Sequence, residues 1–124
     1  MEILNIEATK YTPAIELNPN GVISLRGKSY PENTFEFYEP IMEWIEKYFE
    51  ESPTQKTIVN MEIIYFNSSS SKLFFDFFDL LDENSEKYDV EINWIYDEEN
   101  ESAEEAGEDF IEDFEDLNIN LVTK

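Results

Sequence analysis

The run Asn67-Ser68-Ser69-Ser70-Ser71-Lys72 gathers four hydroxyls and one amine in six residues. Hydroxyls in such a place accept a phosphoryl group from a kinase, or help a helix N-terminus hold a phosphate on its free N–H groups. The plain alternative is that Asn67 or Ser68 caps a helix and the other serines fill its first turn. The run lacks the glycines of a P-loop, which argues against nucleotide cradling. A second cluster, Arg26-Gly27-Lys28-Ser29-Tyr30-Pro31-Glu32-Asn33, holds the only Arg of the chain and two of its eight cations. It reads either as an anion or partner site or as an ordinary strand-to-helix loop with local charge balancing. A third feature is acidic: residues 97–116 contain twelve Asp or Glu and no cation. The spaced pattern of a calcium loop is absent, so a solvated helix face or a docking surface for a basic partner remain.

Whole-chain counts narrow the chemistry. The 124 residues carry 8 Lys and Arg against 30 Asp and Glu, a formal charge of −22, with no His and no Cys. Zinc sites of the usual kind, haem ligation by His, Fe–S clusters, disulfides, Ser-His-Asp triads and Cys nucleophiles are therefore excluded. No cofactor is expected. The charge opposes nonspecific binding to nucleic acid or anionic membranes, which takes clustered Lys and Arg. Hydrophobic residues still make up 41% and aromatics 15%, enough for a core, so the expectation is a folded domain spanning 1–124 with an acidic surface. No apolar run reaches signal-peptide or membrane-span length, and a cytoplasmic location is expected.

The elements that must position these clusters follow from periodicity. Residues 2–7, 13–17 and 22–26 read as strands, with the turn Asn18-Pro19-Asn20-Gly21 joining the last two. Residues 27–33 read as a loop, and Asn33 as the cap of a helix that ends near Ser52-Pro53. Its expected buried stripe is Phe35, Tyr38, Met42, Ile45 and Phe49, with Pro40 as a kink or as the start of its regular part. A buried strand over 57–66 precedes a helix to about residue 86 that buries Leu73, Phe74, Phe77, Phe78 and Leu81. A strand over 89–96, a helix over 103–114 burying Ala106, Phe110, Ile111 and Phe114, and a strand over 118–122 complete the chain. The order β-β-β-α-β-α-β-α-β predicts an α/β fold: one mixed sheet with parallel neighbours in its second half and about three helices packed on it.

Several segments together resemble a known family. They are Thr12-Pro13, Gly21, Arg26 to Asn33, Phe37-Tyr38-Glu39-Pro40, Tyr65 to Lys72, Asn93-Trp94 and Glu105-Ala106-Gly107-Glu108-Asp109-Phe110. In this order they resemble the SiaC family of bacterial regulatory phosphoproteins, over nearly the whole chain. That family is similar to the STAS-type anti-sigma factor antagonists, small α/β domains phosphorylated at the start of a helix. The resemblance implies a non-enzyme that a Ser/Thr protein kinase phosphorylates and a PP2C-like phosphatase resets. Its unphosphorylated form would bind and activate a diguanylate cyclase or another signalling effector, raising cyclic di-GMP and favouring aggregation or biofilm. The acceptor position implied, directly after the Asn, is Ser68, with Ser69 second. Partner or anion contacts are expected from Arg26, Lys28, Ser29, Tyr30, Asn33, Asn67, Ser70 and Lys72. Where the family commonly has Arg, this chain has Lys28, which cannot form a bidentate fork to phosphate.

Electrostatics supports such a switch. A phosphoserine adds roughly −1.5 to −2 charge, and at a helix N-terminus it favours the helix by about 0.3–2 kcal/mol. A partner that accommodates the hydroxyl would meet an unpaired dianion, whose desolvation costs several kcal/mol. Lys72, one turn beyond Ser68, is placed to neutralise part of that charge. The competing reading from charge alone is an acidic mimic of nucleic acid that blocks a basic protein.

Overall fold

The computed structural model describes residues 1–124. Six strands and three helices alternate along the chain: β1 (Leu4–Ile6), β2 (Ala14–Leu17), β3 (Val22–Ser29), α1 (Thr34–Glu50), β4 (Thr57–Phe66), α2 (Ser68–Ser85), β5 (Val90–Tyr96), α3 (Glu101–Asp113) and β6 (Ile119–Thr123). The strands lie side by side in chain order. β1–β2 and β2–β3 are antiparallel, and β3–β4, β4–β5 and β5–β6 are parallel. The mixed α/β sheet and its element order are those the periodicity implied.

The turn between β2 and β3 closes on Gly21 at φ 103°, with the Gly21 N–H donating to the Asn18 carbonyl at 3.0 Å. A Cβ there would sit 2.8 Å from the Lys56 carbonyl oxygen, so only glycine suits both the angle and the space. Three successive crossovers, all advancing in one direction across the sheet, put α1, α2 and α3 on the same face if each is right-handed. The burial pattern agrees. Ile15, Leu17, Ile23, Leu25, Val59, Met61, Ile63, Ile92 and Trp94 are buried on one side. The alternating residues Glu16, Ser24, Asn60, Asn93 and Asn120 form a register-aligned polar row on the other.

Four expectations need correction. The segment from Gly27 is not all loop: β3 runs on to Ser29 through a bulge at Gly27/Lys28, which Gly27 permits at φ 133°. Phe35 is 69% exposed, on the cleft between the starts of α1 and α2, and Met42 is half-buried; Ile41, Trp44 and Tyr48 join the buried stripe instead. Pro40 neither breaks α1 nor begins it. The carbonyl it cannot bond belongs to Glu36, and both residues are exposed, so that carbonyl is open to solvent. Helix α3 starts earlier, at Glu101, and buries Ala103, Gly107 and Phe110. Ala106 and Ile111 stand half-buried at its sides. Gly107 is the reason for that phase: a Cβ would lie 2.6 Å from both Trp94 and Leu121, so glycine lets α3 sit directly on the sheet.

Candidate functional site

The carboxyl ends of parallel strands, where helices begin, are the usual ligand edge of an α/β sheet. Here that edge joins β3 to α1 and β4 to α2. Asn67 caps α2, its Oδ1 accepting from the Ser70 N–H at 2.9 Å, as expected of the Asn in this run. The Asn67 N–H in turn donates to the Ser29 carbonyl at 3.1 Å, tying the start of α2 to the end of β3. No acidic residue lies in the first turn of α2, so its partial positive charge is not offset from within the helix start.

The four serines meet different environments. Ser68 and Ser69 are exposed, Ser71 is half-buried and Ser70 has no exposed surface. The Ser70 hydroxyl lies 2.7 Å from that of Ser29, which lies 2.6 Å from the Tyr38 hydroxyl of α1. These three buried groups satisfy one another and pin β3, α1 and α2 together. Burial pushes the Tyr38 phenol up to about 12, the Ser29 hydrogen bond opposing that rise. Ser29 and Ser70, expected among the contacts to a partner or anion, thus turn inward. Their side chains are structural supports, and serine reads from sequence as a surface residue.

The other expected residues divide between two places. Asn33 caps α1, its Oδ1 accepting from the Glu36 N–H at 3.0 Å. It faces Ser69 and Lys72 across a shallow cleft of about 400 Å³ between the starts of α1 and α2. The two motif segments are therefore brought together. Lys72 is exposed and makes no ion pair, since the chain's two salt bridges are Lys56–Glu91 and Lys124–Glu62. Arg26 lies apart. It sits on the helix-free face of the sheet beside Glu16 and Glu62, in a depression of about 710 Å³ that does not include Ser68. Lys28 is exposed at the end of β3, in register with Tyr65.

Tyr30 belongs to an aromatic ridge whose members are far apart in the chain and share no periodicity. Its ring meets Tyr11 edge-on at 5.3 Å and Tyr65 at 5.6 Å. Tyr11 and Tyr65 are about half exposed. On the other side of α2, a groove of about 710 Å³ separates that helix from α3 and includes Ser68 and Lys72. No group of three or more His, Cys, Asp or Glu is arranged to hold a metal ion. No helix is long and apolar enough to cross a membrane.

A model of the SiaC regulatory phosphoprotein family matches residues 6–124. The chain belongs to the SiaC family. It is 35% identical over 115 residues to an uncharacterized protein of Pseudomonas aeruginosa strain UCBPP-PA14, covering 91% of this chain and 90% of that one. Among solved structures, apo-SiaC from P. aeruginosa superposes with a TM-score of 0.90 at 31% identity, covering 98% of this chain and 99% of the other. Another similar structure is SiaC of the same organism in complex with the diguanylate cyclase SiaD, which it activates. That match has a TM-score of 0.90 at 32% identity and covers 98% and 99%. Membership in SiaC makes this chain a regulatory protein, and it fits a site made of caps, hydroxyls and surface aromatics.

Proposed function

We propose that this chain is a phosphorylation-controlled binding switch whose unphosphorylated form binds and activates a diguanylate cyclase, raising cyclic di-GMP. A Ser/Thr protein kinase adds phosphate at Ser68 and a PP2C-like phosphatase removes it. The reading rests on one observation: Ser68 is the first residue of α2, exposed beside the capping Asn67, in a SiaC fold. Ser69 is the second acceptor, being equally open to solvent. Ser70 is sealed inside and is no acceptor in the folded state.

The chemistry of the switch is local. A phosphate on Ser68 sits over free N–H groups at the start of α2 and within reach of the unpaired Lys72. The protein tolerates the new charge without refolding. A partner surface shaped for a hydroxyl does not, because it must desolvate a dianion without a counter-charge. Each 1.4 kcal/mol lost is tenfold in affinity, so one modification suffices to end binding.

Phos-tag electrophoresis with the cognate kinase tests the acceptor. Ser68→Ala should abolish the shifted band, and a Ser68→Ala/Ser69→Ala double variant that still incorporates phosphate would falsify the assignment. Wild type and Ser68→Asp are then compared for binding and activation of a diguanylate cyclase from the same genome. Wild type should bind and activate, and Ser68→Asp should do neither.

A further inference from the structure

The groove between α2 and α3 has a composition suited to one kind of occupant. Both helices follow parallel strands, β4 and β5, so both start at the same sheet edge and run in the same direction. The floor of the groove is apolar, formed by Phe66, Ala106 and Phe110. Phe75 stands on its α2 wall, 45% exposed, with its ring 4.9 Å from Phe114. An aromatic ring left this open beside an apolar floor stands to gain from being covered.

The walls are charged in a regular way. Glu105, Asp109 and Asp113 line the groove from α3 at intervals of four residues, one per turn, and are exposed. That places carboxylates about 6 Å apart along the groove. Asp76 faces them from α2. None of the four is in an ion pair. The other end of the groove holds Ser68, Lys72 and Ser102. There the start of α2 carries no acid and keeps its partial positive charge, whereas Glu101 and Glu104 offset it at the start of α3.

We propose that the α2–α3 groove receives an amphipathic helix of a partner protein, with an apolar stripe on Phe75 and Phe110 and Lys or Arg residues one turn apart against Glu105, Asp109 and Asp113. Helix-in-groove recognition uses anchors at this spacing. The wall from Ser102 to Asp113 accommodates roughly three turns. The partner helix runs antiparallel to α2 and α3. Its basic residues then meet the carboxylates, and its carbonyl-rich end meets the acid-free N-terminus of α2 beside Ser68. This orientation connects the groove to the switch proposed above, on which that part of the inference rests. A phosphate at Ser68 occupies the place of the partner's negative end, while the carboxylates lie farther down the groove.

The probe is a fluorescent 16-residue peptide of Leu, Ala and Lys, with lysines flanking a leucine stripe, measured by anisotropy against the folded protein. The same composition in scrambled order is the control. Wild type should bind the amphipathic peptide at least tenfold more tightly than the scramble. Asp109→Lys/Asp113→Lys should lose at least tenfold, and so should Phe75→Ser. Glu43→Lys/Glu46→Lys on the outer face of α1 makes the same change in net charge and should stay within twofold of wild type. Equal losses by the two charge reversals, or equal binding of the scramble, would mean attraction by bulk charge and would overturn the groove. A concentration-dependent dimer in sedimentation that disappears in Phe75→Ser would seat a second copy there and overturn it too. Circular dichroism confirms that each variant is folded. Activation of the cyclase separates the groove from the switch. If Asp109→Lys/Asp113→Lys activates normally while Ser68→Asp does not, the groove is wrong and the switch stands. If Ser68→Asp activates normally and the groove variant does not, the switch is wrong and the groove stands.

Discussion

Ser68 and Ser70 stand two residues apart on α2 and live in opposite surroundings. Ser68 is exposed at the helix start, whereas Ser70 is wholly buried against Ser29. Two residues on a helix rotate the side chain by about 200°, so the same residue type is sent to water in one case and to the core in the other. On the proposed reading the outer serine takes the phosphate while the inner one holds the helix in place. Exposure and support are thus separated within one turn.

The sharpest way to break that separation is to remove the middle of the buried trio. Ser29→Ala leaves the Tyr38 and Ser70 hydroxyls without their partner. The expected loss is about 4 kcal/mol in urea unfolding, since each stranded buried group costs about 1–3 kcal/mol. Ser68→Ala should change stability by less than about 0.5 kcal/mol, as surface substitutions do. Comparable losses from the two would erase the distinction.

A second expected effect concerns alkaline pH. Burial raises the Tyr38 phenol from its ordinary 10.0 to about 12. The folded protein therefore keeps its proton after the unfolded chain has lost one. The resulting stabilisation is complete below pH 10 and disappears as pH rises through about 12, a fall of about 3 kcal/mol. Tyr38→Phe should lack this limb in a pH series of denaturation midpoints. Its persistence in the variant would assign it to another group.

Two smaller effects sharpen the picture at the helix start. Asn67→Ala removes the cap over both serines and should cost about 1 kcal/mol. Ser68→Asp should raise stability by about 0.5 kcal/mol at low salt, and less as salt is added, through the partial charge at the start of α2. Hydrogen exchange at the Ser70 amide reports the first, and thermal unfolding at two ionic strengths the second.

Much of this arrangement was legible in residue order. The β2–β3 turn was readable because Pro19, Asn20 and Gly21 each restrict the backbone in a known way. The start of α2 was readable because Asn67 precedes a stripe of Phe74, Phe77 and Phe78 that keeps helical phase and is buried. What failed depends on contacts distant in the chain. The inward turn of Ser29 exists only because α1 brings Tyr38 over it and α2 brings Ser70. Phe35 lies on the open cleft between the starts of α1 and α2, which its own spacing does not reveal. Glu105, Asp109 and Asp113 were hidden among twelve acids in residues 97–116, and only the parallel placement of α2 and α3 marks them out. Arg26 was grouped with the helix-end loop by proximity in sequence. Strand alternation turns it to the opposite face.

Strand order equal to chain order has a further consequence, for synthesis. The partner of each new strand is the one made just before it, so the sheet has a single advancing edge. No strand has to wedge itself between two already joined, and no early strand waits for a distant later one. The nascent chain can thus lay down its sheet from the first hairpin onward, and the start of α2 is made before α3 and the last strand.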